Sequence, residues 1–260
     1  MEYIVESALL THGLRSVGND AIAEAWPAGE DRIAWVDRGS VVIGGIDDYL
    51  PFRDRAPELV RIDCYQLAEA EANGVSGALT ASGTMAVCAR LGVRLAVTCG
   101  MGGIGDIAGE ELCPDLPALR DIPVSLLSTG PKDMLDRAAT VAWLRGEGVR
   151  VLGAARDVTT GYVLVGDPVE LDGTLPADPA DIRREVESAR LLILNEIPEA
   201  ERWRDPAILE AAVRAGKEAE ARGAYFHPAA NAKIDELTGG ESSFAQLRSL
   251  VANVRLAARW

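Results

Sequence analysis

Short apolar segments that alternate with amphipathic ones constrain the fold of this chain most strongly. Segments rich in leucine and β-branched residues have the length of buried strands, and they lie at 93–100, 122–130, 149–154 and 191–196. Helical periodicity occurs around them, at 64–73, 82–91, 132–146, 178–190, 205–223, 228–238 and 242–259. This alternation predicts an α/β sandwich around a mostly parallel central sheet.

A β-hairpin is predicted near the N-terminus, within residues 32–45, where two β-rich runs flank Asp37, Arg38 and Gly39. The stretch 156–177 is the least regular and predicts a loop or lid. A chain of 260 residues in which no internal repeat stands out is long enough for one large domain or for two small ones. We expect a single domain over residues 1–260.

The charge of the chain restricts its partners. A net charge of −14 and a pI of about 4.6 repel phosphate backbones and anionic lipids, so neither a nucleic-acid polymer nor a membrane is an expected partner. A small phosphorylated ligand needs only a local site and stays possible. No segment has the length of a membrane span, and the first ten residues lack the basic region of a signal peptide.

Cysteine spacing indicates the compartment. The four cysteines are well separated and form no Cys-x-x-Cys pair: Cys64, Cys88, Cys99 and Cys113. Such spacing is typical of reduced thiols, so we expect a cytoplasmic protein.

The ends of the predicted strands locate the candidate site, because ligands of open α/β sheets lie beyond the carboxyl ends of the strands. Three segments follow predicted strands: 98–106, 128–133 and 195–198. The N-terminal segment 3–13 is a fourth candidate.

Lys132 stands out because the chain has three lysines against 23 arginines. An amine can lose its proton and attack a carbonyl carbon, whereas a guanidinium stays charged. The place of Lys132, between a predicted strand and a predicted helix, fits an imine-forming lysine. It also fits a surface lysine on a first helical turn, although the helix dipole disfavours a cation there.

Other titratable residues leave two interpretations open. Glu6 lies within an apolar run, where a carboxyl is either solvated at a strand edge or directed into a site that raises its pKa. His12 and His227 are each isolated, and an isolated histidine is more often structural than a general base.

A glycine motif and an acidic cluster follow the strand 93–100. The motif Gly100-x-Gly102-x-x-Gly105 is compatible with a dinucleotide or with a phosphate or sugar loop. Gly109 and Pro114 interrupt the segment that a dinucleotide site needs as a helix. The cluster Glu110, Glu111 and Asp115 is either a solvated acidic turn or a set of oxygen ligands for a divalent ion.

Taken together, these segments resemble the pseudouridine-5′-phosphate glycosidase family, whose motifs occur in the same order along nearly the whole chain. The matching segments are ESALLTHG (6–13), RIAWVDRGSVVIG (32–44), GALTASGTMAVCARLGV (77–93), VTCGMGGIG (97–105), STGPKDMLD (128–136), NEIPE (195–199), ELTGG (236–240) and LVANVRLAA (250–258). The resemblance implies an enzyme that reversibly splits a C-nucleoside 5′-phosphate into ribose 5-phosphate and a free base.

The resemblance also assigns roles to residues. It implies Lys132 as the nucleophile that attaches to C1′ of the ring-opened sugar, and Glu6 as the general acid. It implies Mn²⁺ or Mg²⁺ held by Glu111 and Asp115, and a homo-oligomer, a trimer. The substrate contacts that it implies are Asn73, Val93, Thr98, Cys113, Asp115 and Asn253.

Departures from the family pattern keep alternative functions open. Cys113 replaces a serine, Asn73 stands for a lysine, and Gly105 replaces a histidine. These changes affect the groups that hold substrate rather than the nucleophile and the acid. They are compatible with a diverged C-nucleoside synthase that joins ribose 5-phosphate to an aglycone other than uracil. A non-catalytic sugar-phosphate-binding protein and an NAD-dependent oxidoreductase are alternatives of other classes.

Overall fold

A computed structural model describes residues 1–108, 110 and 112–260 of the chain. Its strands are β1 Ile4–Val5, β2 Ile33–Asp37, β3 Ser40–Gly44, β4 Val60–Ile62, β5 Gly77–Leu79, β6 Leu95–Val97, β7 Gly100–Met101, β8 Ser125–Ser128, β9 Gly130–Pro131, β10 Arg150–Gly153, β11 Val158–Thr159, β12 Val169–Glu170 and β13 Leu191–Leu194. Its α-helices are α1 Asn19–Ala25, α2 Ile46–Arg53, α3 Leu67–Ala72, α4 Ala81–Leu91, α5 Asp115–Asp121, α6 Arg137–Gly146, α7 Pro179–Glu187, α8 Pro206–Ala221, α9 Phe226–Leu237 and α10 Glu241–Ala257.

One nine-stranded sheet forms the centre of the fold. Its strands are ordered β10-β13-β8-β6-β1-β2-β5-β4, with β3 paired to β2. The strands from β10 to β2 run parallel, whereas β3 and β5 are antiparallel to β2. The predicted α/β fold with a mostly parallel sheet and an N-terminal hairpin is therefore confirmed.

Both faces of the sheet are buried, as a parallel sheet requires. Successive strand residues point to opposite faces, so each strand contributes to two hydrophobic clusters. One cluster contains Val5, Val97, Leu127 and Ile193, and the other contains their chain neighbours Ile4, Ala96, Leu126 and Leu192. Helices α7 to α10 pack on the first face and α3 to α6 on the second. Within the described residues, no helix combines the length and the apolarity needed to cross a bilayer.

The helices start where their capping residues predict, with one consequential exception. Asp178 and Asp205 cap α7 and α8, as the Asp-Pro pairs indicate. The helix predicted from residue 132 instead begins at Arg137, because the Asp136 carboxylate accepts a hydrogen bond from the backbone of Ala139. Lys132 lies in the preceding turn, so the argument from the helix dipole does not apply to it.

Candidate active site

The candidate site lies where the central strands end. Strand β1 stops at Val5, and the backbone N–H of Glu6 donates to the carbonyl of Val97 at the end of β6 (2.9 Å). After β6, the N–H of Thr98 donates to Leu127 of β8 (2.9 Å). The short strands β7 and β9 then pair, which brings Lys132 beside the glycine loop through a bond from its N–H to the carbonyl of Met101 (3.2 Å).

Strand β2 continues past the end of β1 and extends the sheet beside this edge. Val5, the last residue of β1, pairs with Ile33. Two residues further along β2, Trp35 pairs with Ala78 of β5, which in turn pairs with Arg61 of β4. Arg61 therefore lies beyond the end of β1, on the side of the sheet edge where Glu6 emerges.

The carboxyl of Glu6 is buried, with only 4% of the residue exposed. Burial raises the pKa of Glu6 to about 7, while the Thr98 hydroxyl and the charge of Lys132 act in the opposite direction. The Thr98 hydroxyl has no hydrogen-bond partner of good geometry among the described residues, so it is free to turn toward this carboxyl. Glu6 is consequently able to give and take a proton near neutral pH.

The amine of Lys132 shares this environment with Glu6. Burial and the nearby charge of Arg61 lower the pKa of Lys132, while the carboxylates of Glu6 and Asp115 act in the opposite direction. A lowered pKa increases the fraction of neutral amine, which is the nucleophilic form. The structure thus brings the predicted nucleophile and the predicted acid into one group of interacting charges.

Asp115 fixes the glycine loop with both of its carboxylate oxygens. One oxygen accepts from the N–H of Ser82 at the start of α4 (2.9 Å), and the other accepts from the N–H of Gly102 (2.8 Å). A Cβ at Gly102 would lie 1.9 Å from the sulfur of Cys113, so only glycine fits there. Cys113 itself is a neutral thiol, because burial raises its pKa well above the usual value.

The glycine motif does not form a dinucleotide site. A dinucleotide needs the glycines to open a helix whose N-terminus faces the pyrophosphate. Here Gly100 belongs to strand β7, and the described residues between 102 and 114 contain no helix. The next helix, α5, begins only at Asp115. The oxidoreductase alternative therefore loses the motif on which it depended.

One of the two predicted metal ligands, Asp115, belongs to the described part of the chain. Glu111 lies outside the described residues, and the oxygens of Asp115 already accept two backbone hydrogen bonds. In the described part of the chain, no three His, Cys, Asp or Glu residues are grouped closely enough to hold a metal ion. The described residues do not provide a ligand set for Mn²⁺ or Mg²⁺, so the divalent ion stays a prediction.

Arg61 is a site residue that the sequence analysis did not identify. Its guanidinium is half-buried, and its charge acts on Glu6, Lys132 and both histidines. Among the described residues no carboxylate lies within ion-pair distance of it. Arg55, Arg156 and Arg202, in contrast, each form an ion pair. The sequence did contain one signal for Arg61, namely a cation between the apolar residues of the strand Val60–Ile62. An arginine without an internal partner is suited to bind an anionic group of a ligand.

Both histidines lie near this group as neutral imidazoles. Burial and the charge of Arg61 together lower the pKa of His12 to about 4. Burial and the charges of Lys132 and Arg61 lower the pKa of His227 to about 3. His227 is the second residue of α9, and its Nε2 lies 4.0 Å from the Glu110 carboxylate. His227 therefore borders the site rather than lying apart from it.

Asn253 lies beneath the site and is fully buried. Its amide donates to the carbonyl of Thr98 (2.8 Å) and to the hydroxyl of Thr129 (3.2 Å), and its oxygen accepts from Asn195 (2.8 Å). Helix α10 thereby ties together the ends of β6, β8 and β13. Asn253 holds the strand ends in register, and its contact with substrate stays a prediction.

Two predicted substrate contacts are not brought to the site. Asn73 is the exposed residue that ends α3, where its side chain faces solvent. Val93 precedes β6, whereas Thr98 follows that strand, so the two residues lie at opposite edges of the sheet. A correspondence of motifs could not reveal this, because it carries no information about strand direction.

A cavity of about 260 Å³ lies at the carboxyl ends of β10 and β13. Its lining combines apolar residues with charged ones, including Leu171, Ile197, Glu196 and Arg202. Neither Glu6 nor Lys132 lines it.

Comparison with known proteins places the chain in a family. Residues 5–260 match the family described as indigoidine synthase A like protein. A pseudouridine-5′-phosphate glycosidase from Gemmatimonas aurantiaca is 31% identical over 235 residues, which cover 86% of this chain and 76% of that protein. The enzyme of the same name from Methylobacterium nodulans is 28% identical over 98% of this chain and 81% of its own length.

Two solved structures have the same architecture. An indigoidine synthase A-like protein from Thermotoga maritima superimposes with a TM-score of 0.80 over 99% of this chain and 91% of its own, at 21% identity. The prealnumycin C-glycosynthase AlnA, solved in complex with ribulose 5-phosphate, superimposes with a TM-score of 0.75 over 98% of this chain and 88% of its own, at 25% identity.

Proposed function

The chain belongs to the indigoidine synthase A like protein family, and on that basis we propose that it makes or breaks the carbon–carbon bond between ribose 5-phosphate and a heterocyclic base. The observation that carries this proposal is that a buried carboxyl, a lysine of lowered pKa and an arginine that pairs with no carboxylate of the described residues lie together at one sheet edge. These are Glu6, Lys132 and Arg61.

Lys132 is the nucleophile in this proposal. Its neutral amine adds to the C1 carbonyl carbon of the open-chain sugar, and loss of water gives a protonated imine. In the direction of synthesis, a carbon of the base then adds to the imine carbon. Finally the 4-hydroxyl of the sugar loses its proton as its oxygen bonds to C1, and the protonated amine leaves C1, which closes the ring and frees Lys132. Cleavage follows the same steps in reverse.

Glu6 transfers the protons that these steps require. In its acid form it protonates the oxygen that leaves as water, and in its basic form it accepts the proton from the carbon of the base after addition. A pKa of about 7 allows both forms to be populated near neutral pH. Thr98 lies beside the carboxyl and stabilises the ionised form.

Arg61 binds the anionic part of the substrate, which for a sugar phosphate is the 5′-phosphate. It supplies charge-assisted hydrogen bonds that Asn73, exposed on α3, is not placed to supply. Lys132 is the other cation of the group, but it must become neutral to react. Arg61 cannot lose its charge in this pH range and therefore stays available for the anion.

A second candidate is net synthesis with an aglycone other than uracil. It is supported by the fold shared with AlnA, a C-glycosynthase that is 25% identical over 98% of this chain. Cys113, which is buried against the glycine loop where the family pattern has serine, also alters the polar groups around the site. Incubation of ribose 5-phosphate with a panel of heterocycles distinguishes the two, because acceptance of uracil alone would contradict this candidate.

Trapping of the imine tests the function directly. The protein is incubated with ribose 5-phosphate and cyanoborohydride, which reduces imines in preference to aldehydes, and the modified peptide is mapped by mass spectrometry. We expect one adduct, at Lys132, and its loss in Lys132→Ala and in Lys132→Arg. Lys217 and Lys233 are the only other lysines of the chain and serve as internal references. An adduct that persists in both variants, or none in the unaltered protein, would contradict the proposal.

The metal ion, the trimer and the cytoplasmic location stay predictions. Activity after treatment with a chelator and readdition of Mn²⁺ or Mg²⁺ tests the ion, and Glu111→Ala tests its ligand. Analytical ultracentrifugation tests the trimer.

A further inference from the structure

Two carboxylates hold five successive backbone N–H groups of the loop 160–164. Asp133 accepts from Tyr162 (2.9 Å) through one oxygen and from Val163 (2.8 Å) and Leu164 (3.0 Å) through the other. Glu196 accepts from Thr160 (2.6 Å) and Gly161 (3.0 Å). Consecutive amides that converge on fixed anions form a rigid concave loop. The two acids follow β9 and β13, so the loop is attached to the strand ends themselves.

The loop that they hold packs against the segments that carry Lys132. The ring of Tyr162 lies so close to Gly100 that a Cβ there would be 2.7 Å from it. The carbonyl of Gly161 lies 3.8 Å from the position of a Cβ on Gly130, in strand β9 just before Lys132. The loop therefore contacts both β7 and β9, the paired strands from which Lys132 emerges.

Tyr162 extends this contact to the polar layer beneath Glu6. Its hydroxyl donates to the side chain of Gln246 in α10 (2.9 Å) and lies 3.1 Å from the sulfur of Cys99. Tyr162 is fully buried, and the charge of Glu6 acts on it. The loop thus packs against β7, β9 and α10, the elements that surround Lys132 and Glu6.

We propose that Asp133 and Glu196 are positioning residues that hold the loop 160–164 as the wall of the lysine site, so that the reactivity of Lys132 depends on both carboxylates. The inference concerns the same site as the proposed function and rests on it for its catalytic meaning. Its chemical content is separate: the wall excludes water from the amine, and exclusion of water keeps part of the amine neutral. If the wall is loosened, water reaches the Lys132 amine again, and the charged ammonium form is favoured.

The geometry favours this role over simple stabilisation of a loop. Asp133 follows Lys132 directly in the chain. The same segment therefore carries both the amine and the carboxylate that holds the wall. Glu196 is in turn fixed by Arg156 (2.9 Å) and lies 3.6 Å from the buried Arg202. The two arginines thereby orient Glu196, and the three backbone N–H groups from which Asp133 accepts orient its carboxyl toward the loop.

The matched control for Asp133 is Asp136. Asp136 lies three residues further along the same segment and accepts one backbone N–H, that of Ala139, as the N-cap of α6. Asp133→Asn and Asp136→Asn each weaken hydrogen bonds to backbone N–H groups, but only Asp133→Asn releases the wall. Glu196→Gln is a second variant that loosens the same loop from its other end.

The readout is the pH profile of reductive methylation with formaldehyde and cyanoborohydride, followed lysine by lysine by mass spectrometry. In the unaltered protein, Lys132 should react at lower pH than Lys217 and Lys233. In Asp133→Asn and Glu196→Gln, its midpoint should rise and its rate at pH 7 should fall at least about threefold, the effect of roughly half a pKa unit. Asp136→Asn keeps a side-chain acceptor at the N-cap of α6 and should leave the Lys132 profile unchanged.

The outcomes separate the two proposals. A Lys132 profile that is unchanged in both Asp133→Asn and Glu196→Gln, or changed equally in Asp136→Asn, overturns the positioning role. If Asp133→Asn does not fold, the Glu196→Gln profile decides alone. Because formaldehyde replaces the sugar, failure of ribose 5-phosphate trapping would overturn the proposed function without affecting this test.

Discussion

At the scale of single residues, the site depends on Glu6 and Lys132. The charge of each favours the charged form of the other, whereas burial disfavours the charged form of both. The carboxylate of Glu6 favours the charged form of Lys132, and the ammonium of Lys132 favours ionised Glu6. Burial is the larger effect for each and moves the pKa values of the acid and the amine toward each other. Protons are therefore exchanged by the pair, and measured pKa values belong to the pair rather than to either residue.

Glu6→Gln tests the role of this acid. An amide has the shape of the carboxyl but transfers no proton, so we expect the rate of bond formation or cleavage to fall about 10²- to 10⁴-fold. The unaltered protein should lose activity as the pH rises through about 7, where Glu6 loses its proton, and the variant should lack this limb. Thr98→Val is the matched control: it removes a hydroxyl that favours ionised Glu6, so the limb should move to higher pH. A limb near pH 7 that survives in Glu6→Gln would contradict the assignment.

Arg61→Ala tests recognition of the anionic group. Loss of a charge-assisted contact is worth about 1.5–3 kcal/mol, so KM for ribose 5-phosphate should rise roughly 10- to 150-fold. Ribose without phosphate is the control substrate, and its KM should change little between the unaltered protein and the variant. Equal effects on the two sugars would show that Arg61 does not bind the phosphate.

At the scale of elements, helix α10 acts as the floor of the site. Gln246, Ser249 and Asn253 recur at spacings of three and four residues, so they lie on one face of the helix. That face is polar although it is buried, and each of the three side chains makes a hydrogen bond to a strand end, a neighbouring loop or its own helix. Such a network specifies the position of the helix only if every member is satisfied.

Asn253→Asp breaks this network with almost no change of shape. A carboxylate cannot donate to the carbonyl of Thr98, and it places a charge beneath Glu6. We expect the free energy of unfolding to fall by about 1–3 kcal/mol and the Glu6 limb of the pH profile to move upward. Asn231→Asp, on the partly exposed surface of α9, is the matched control and should do neither. Urea denaturation and the pH–rate profile measure the two effects.

Local sequence was sufficient for most elements but not for the composition of the site. The apolar strands and Asp-Pro helix starts are local signals, and so is the isolated Lys132. Arg61 could not be predicted, because its position depends on how far β2 extends past β1 and on the register of β4 and β5. Motif order does not record strand direction, so it could not show that Asn73 and Val93 lie away from Lys132; their contact with substrate stays a prediction.

At the scale of the whole molecule, the buried acids and the buried histidines affect stability in opposite directions as the pH changes. Glu6 and Asp133 have raised pKa values, of about 7 and about 6, so their contribution to stability is complete below their unfolded values and is lost as the pH rises through the folded ones. His12 and His227 have lowered pKa values, so their contribution is gained as the pH rises toward 6.5. Between about pH 4.5 and 6.5 the two trends offset each other.

The contribution of Glu6 is therefore best isolated by difference. In Glu6→Gln the histidines and Asp133 remain, so the variant should gain stability relative to the unaltered protein as the pH rises from 4.5 to above 7. A shift from 4.5 to about 7 corresponds to roughly 3 kcal/mol. Urea denaturation at pH 4.5, 6, 7 and 8.5 measures the difference at each pH. A constant difference would mean that Glu6 is not buried as a carboxyl in the folded protein, and the enclosure that lowers the pKa of Lys132 would then lack its acid.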